Sequence, residues 1–113
     1  MMDVKTRDEK EYFIVSLAGR LDIGNSAQFE ANCLEWIEQG KRQIVLDFTA
    51  LEYISSAGLR SILSATKKIR SLGGGLSLCG LSGLVEEVIT VSGFDNILKV
   101  YADIAQATSG EGR

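Results

Sequence analysis

The chain has 113 residues, 45% hydrophobic and 24% charged, with a net charge of −3, no histidine and no proline. This is the composition of an ordinary globular domain: it lacks the low hydrophobicity of a disordered chain, and no apolar run approaches the ~20 residues needed to cross a bilayer. The acidic balance argues against nucleic acid as a partner, because its phosphates call for clustered Lys and Arg.

Residues 4–7 and 12–18 alternate in polarity around the charged turn Asp8, Glu9, Lys10 and Glu11, the pattern of an antiparallel hairpin. Gly19 is expected to end the second strand, and residues 20–24 then form a mixed polar and apolar connection. Asn25 and Gln28 have capping-box spacing, so a helix should run from there to about Gln39, with Gly40 as a left-handed stop. Phe29, Cys33, Trp36 and Ile37 fall on one face of that helix, which predicts that it packs on a core.

Residues 43–48 hold Ile44, Val45 and Leu46 in a row, as in a central strand covered on both faces. After Ser55, Ser56, Ala57 and Gly58, a second helix carries Leu59, Ile62, Leu63 and Ile69 inward, with Arg60, Ser64, Lys67 and Lys68 outward. The basic cluster of Lys67, Lys68 and Arg70 therefore reads as a wet helix face. Gly73, Gly74 and Gly75 stop this helix, and residues 76–79 form a buried strand. A third helix should start at Ser82, turn Leu84, Val85, Val88 and Ile89 inward, and end near Gly93. A short strand at 97–101 and a terminal helix capped by Asp103 and Gln106 complete the series, leaving 109–113 as a flexible tail. The order β-β-α-β-α-β-α-(β)-α predicts an α/β fold, a mixed sheet with helices packed against it, in one domain spanning residues 1–108.

Without histidine, the Ser-His and Cys-His nucleophile pairs are unavailable. Cys33 and Cys79 are too far apart for a CxxC pair and read as two buried thiols in a reducing compartment. Asp22, Asp47, Glu52, Glu86 and Glu87 show no diagnostic spacing, and Glu86 and Glu87 read as a solvated helix face. The glycines at 73–75 lack the lysine of a phosphate-cradling loop. The expectation is a protein that is not an enzyme and holds no cofactor and no metal. What stands out is the strand-to-helix junction, where Ser55 and Ser56 sit at a helix N-cap. A phosphate added there meets the same unpaired N–H groups and the positive end of the helix dipole, and brings about −1.5 to −2 charges. Ala57 and Gly58 would keep the approach to this junction low, and Leu59 or Tyr53 would offer an apolar contact.

At these residues the sequence resembles the STAS domain of bacterial anti-sigma-factor antagonists. The likeness is carried most specifically by Tyr53, Ile54, Ser55, Ser56, Ala57, Gly58 and Leu59, and extends to Gly19, Arg20, Leu21 and Asp22, to Ile44 through Asp47, and to Gly93 and Phe94. It implies a STAS-type fold and a partner switch. The unphosphorylated protein binds an anti-sigma factor that is also a serine kinase, which frees the sigma factor. Phosphorylation releases the partner, and a serine phosphatase resets the site. By position the phosphoserine corresponds to Ser56. Ser55 stands where the family often has aspartate, which leaves it as a rival acceptor. The implied docking surface comprises Arg20, Asp22 and Asn25 of the neighbouring loop with Tyr53, Ser55, Ser56, Ala57, Gly58 and Leu59. The resemblance implies a cytoplasmic protein, with a monomer expected when it is free of its partner. The alternative is a scaffold subunit of a stress-signalling or lipid-transport assembly, built on the same fold with the serine unmodified.

Overall fold

A computed structural model describes residues 2–109. Five strands lie side by side in sequence order: β1 (Met2–Glu9), β2 (Tyr12–Leu21), β3 (Gln43–Ile54), β4 (Gly75–Cys79) and β5 (Lys99–Tyr101). β1 and β2 pair antiparallel and every later pair is parallel, which requires a crossover between strands. Helices α1 (Ser26–Glu38), α2 (Ser56–Ser71) and α3 (Gly83–Ser92) supply those crossovers, and α4 (Ile104–Ala107) follows β5.

The alternation of each strand divides its side chains between two cores. On one face Val15, Leu17, Ile44, Leu46, Leu76 and Leu78 pack beneath Phe29 and Ile37 of α1, Ile62 and Ile69 of α2, and Val85 and Ile89 of α3. On the other face Tyr12, Ile14, Val45 and Cys79 form a smaller cluster covered by Ala107 of α4, with Tyr101 and Ile104 at its edge. Ile44, Val45 and Leu46 are all buried because the first and third serve one core and the second serves the other. No helix among the described residues is long and apolar enough to cross a membrane.

Several boundaries differ from those predicted. The hairpin turn is only Lys10 and Glu11, with Lys10 in the left-handed region at φ 59°, so the predicted turn residues Asp8 and Glu9 belong to β1. β2 does not stop at Gly19. That residue adopts φ 100°, the register shifts on either side of it with an extra residue on β3 each time, and β2 continues to Leu21. β3 runs on to Ile54 rather than ending at Phe48, burying Leu51 and Ile54 on the way. At α3 the structure turns Leu84 outward, 54% exposed, because only Val85 and Ile89 face the sheet squarely. The last strand is shorter than predicted, since residues Phe94–Asn96 form a 3-10 turn and Leu98 N–H bonds back to the Phe94 carbonyl at 2.8 Å.

The two capping boxes behave differently. Asp103 accepts from Gln106 N–H at 2.9 Å, and Gln106 Oε1 reaches back to Ala102 N–H at 2.8 Å. Asn25 occupies the N-cap of α1 but makes no side-chain bond to the helix, because its amide is engaged in the preceding loop. Ser109, predicted to open the loose tail, hydrogen-bonds Gln106 carbonyl through its hydroxyl at 3.0 Å. The rest of that tail, 110–113, lies outside the described residues.

Candidate functional site

The late ends of β2 and β3 converge on the first turn of α2. Leu21 and Ile54 are register partners buried under the helix, and Ser55 N–H bonds Leu21 carbonyl at 2.9 Å, joining the end of one strand to the start of the helix. The chain then divides the labour of its two serines. Ser55 is the N-cap, with extended backbone (φ −93°, ψ 170°), and its Oγ accepts from Gly58 N–H at 3.1 Å. Ser56 is the first helical residue, and it is exposed. Its hydroxyl makes no hydrogen bond among the described residues, so it points at solvent from the positive end of a 16-residue helix.

Gly58 and Leu59, both included in the expected docking surface, are buried, and Leu59 takes the inward place that its helical spacing predicts. A Cβ on Gly58 would stand 2.9 Å from Leu21 Cγ and 3.1 Å from Ile54 Cγ1, so glycine is needed there to seat the helix on the strand ends. Leu59 is 8% exposed and belongs to the larger core. Ala57 is half-buried, and its carbonyl accepts from Ser61 Oγ at 3.2 Å.

The neighbouring loop, residues 20–25, is held by its own polar groups. Asp22 N–H donates to Asn25 Oδ1 at 2.9 Å, Asn25 Nδ2 donates to Arg20 carbonyl at 2.9 Å, and Gly24 N–H donates to Asp22 Oδ1 at 2.9 Å. Asp22 carbonyl also accepts from Ser26 N–H, the first residue of α1. Arg20 and Tyr53 are register partners, and the guanidinium carbon lies 4.1 Å from the centre of the Tyr53 ring, within cation–π range. Ile23, at the tip of the loop, is 81% exposed. The sequence reading passed over it; the signal was an aliphatic residue placed between Asp22 and Gly24, where no strand or helix period could bury it.

Of the nine residues proposed from the sequence, Arg20, Asp22, Tyr53 and Ser56 gather at this end of the sheet with polar or aromatic surface. Asn25 and Ser55 brace it, and Ala57, Gly58 and Leu59 attach it to the core. Among the described residues no group of three or more His, Cys, Asp or Glu side chains could hold a metal ion. Cys33 and Cys79 are fully buried in the two cores, away from the loop and the helix start.

Residues 2–107 match the family model of the STAS domain. The chain is 42% identical over 87 residues to BtrV of Bordetella bronchiseptica, a protein named for an anti-sigma factor antagonist, covering 77% of this chain and 75% of that one. It is 28% identical over 101 residues to the anti-sigma F factor antagonist of Paenibacillus polymyxa, covering 88% and 86%. A crystal structure from Thermotoga maritima, also named for an anti-sigma factor antagonist, superposes with a TM-score of 0.90 at 26% identity, over 97% of this chain and 95% of the other. The sheet order, the helix that opens at Ser56 and the family match over almost the whole length agree: this chain belongs to the STAS-domain family.

Proposed function

We propose that the protein is an anti-sigma-factor antagonist of the cytoplasm, a binding module without catalytic activity, whose unphosphorylated form captures an anti-sigma factor that is also a serine kinase. Phosphorylation of Ser56 releases that partner, and a serine phosphatase restores binding. The observation that carries this reading is the unequal use of two adjacent serines. Ser55 Oγ is committed to Gly58 N–H, whereas Ser56 Oγ is exposed and unengaged, so Ser56 can accept a phosphoryl group without uncapping α2. The added dianion sits beside Asp22 and the half-buried Tyr53 and changes the charge of a surface on which Ile23 stands out. The relatives' names support the same assignment.

The test uses wild type, Ser56→Ala and Ser56→Asp with the purified anti-sigma factor kinase from the same organism. Ser56→Ala should bind as tightly as wild type and resist phosphorylation, Ser55→Ala should still be phosphorylated, and Ser56→Asp should release the kinase. Equal binding by all the variants, with no phosphate incorporated, would reduce the site to a helix start and favour a scaffold role for the same fold.

A further inference from the structure

The first turn of α2 contains no acidic residue, although Asp or Glu there would complement the positive end of the dipole, and the first charge along the helix is a cation, Arg60. Ser56 and Arg60 are four residues apart, so they lie one above the other on the same helix face, with their Cβ atoms about 5–6 Å apart. Both are exposed. Helical side chains lean toward the N-terminus, which directs the Arg60 stem over the turn that begins at Ser56. Ala57, Gly58 and Leu59 fill the rest of that turn, so Ser56 brings its only polar side chain.

Arg60 has no other engagement to give up. Among the described residues no hydrogen bond or ion pair holds its guanidinium, and the cation–π contacts belong to Arg20 and Lys41. Arg20, at the same end of the sheet, is committed to the Tyr53 ring at 4.1 Å. One turn beyond Arg60, Ser64 Oγ donates to Glu30 Oε2 at 3.0 Å, and no ion pair joins Glu30 to Arg60. Asp22, on the loop beside the helix start, has its Oδ1 on Gly24 N–H and would repel a dianion at Ser56, a repulsion that a cation one turn away offsets.

We propose that Arg60 is the internal counter-ion of the modified serine: once Ser56 carries a phosphate, the Arg60 guanidinium turns back along α2 and donates to two of its oxygens. The inference rests on Ser56 as the phosphorylated residue. Modification then changes the surface twice over. It adds a dianion at the helix start, and it withdraws the cation that the unmodified helix presents to a partner.

The experiment uses the full chain with phosphoserine encoded at position 56 during translation, so that it depends on no kinase. Its ³¹P resonance is titrated at low salt through the second phosphate ionisation, at about pH 6 in a free phosphoserine. Arg60→Gln should raise the midpoint by about 0.5 pH unit, because the dianion loses its cation, and Arg60→Lys should restore most of the difference. Lys67→Gln, about three turns from Ser56 on the same helix, should leave the midpoint where it is. Added salt should narrow the gap between Arg60→Gln and the parent. The same midpoint in Arg60→Gln as in the parent would overturn the proposal. Binding of the encoded phosphoserine chain to the anti-sigma factor kinase, measured on the same samples, tests the switch by itself: retention of the kinase with a shifted midpoint would sink the switch and uphold the Arg60 contact, and release with an unshifted midpoint would do the reverse.

Discussion

Ser55 and Ser56 carry the same hydroxyl, and the backbone alone separates their duties. The extended ψ of 170° at Ser55 aims its oxygen at Gly58 N–H, and the helical backbone of Ser56 aims its own outward. Ser55→Ala should therefore cost about 1 kcal/mol of stability, the usual loss for an N-cap, and Ser56→Ala only a few tenths, as judged by urea unfolding. Equal losses would show that the two hydroxyls share the cap. At Gly58 the added methyl would meet Leu21 and Ile54 inside van der Waals contact, so Gly58→Ala should destabilise by about 1–3 kcal/mol through overpacking. The position of the serine pair was legible in the sequence because a polar doublet stood between two apolar patterns. Which of the two was free was not, because that choice rests on one dihedral angle. Leu59 was legible too, since it shares the period of Ile62 and Ile69. Including it in the docking surface conflicted with the same periodicity that had placed it in the core.

At the level of elements, order and type followed from periodicity, and boundaries did not. β2 and β3 outrun their predicted ends because two register shifts, each taking up an extra residue on β3, let the pairing resume after a break in the alternation. The capping-box spacing of Asn25 and Gln28 marked the right helix start for a reason other than the one expected. The Asn25 amide bonds Asp22 N–H and Arg20 carbonyl, so it fastens the incoming loop. Asn25→Ala removes both bonds, each worth about 1 kcal/mol net. The variant should fold, and its Asp22 amide should exchange hydrogen markedly faster while the amides in the middle of α1 keep their protection. Unchanged exchange at Asp22 would mean that the Ser26 N–H to Asp22 carbonyl bond suffices to hold the loop. The 3-10 turn at Phe94–Asn96 left no sequence period to detect, because three residues are too few to show one.

For the whole molecule, one buried thiol in each core makes stability depend on alkaline pH. Burial pushes the Cys33 thiol from 9.0 to about 12, with the Glu30 charge adding to it. Burial likewise pushes Cys79 to about 12, aided by the charge of Asp47, a hydrogen bond to it, and the charge of Asp103. An unfolded chain releases these protons near pH 9, while the folded chain keeps them until about 12. Stability contributed by the protonated thiols is therefore complete below pH 9 and falls as pH rises from 9 toward 12. Urea midpoints measured on both sides of pH 9 should show this decline, and the Cys33→Ala, Cys79→Ala double variant should show a shallower one. An identical slope in the double variant would show that the thiols do not carry the decline. The two thiols should also resist alkylation until the protein unfolds, since both are fully buried.

The braced loop has a consequence for how such proteins diverge. Asp22 and Asn25 make the hydrogen bonds that shape it, and Ile23 makes none, so the identity of residue 23 is uncoupled from folding. Substitutions at that single codon change the exposed surface of the loop tip while the hydrogen bonds that shape the loop stay in place. The surface at this end of the sheet can therefore vary in hydrophobicity from one family member to the next without any change to the scaffold beneath it.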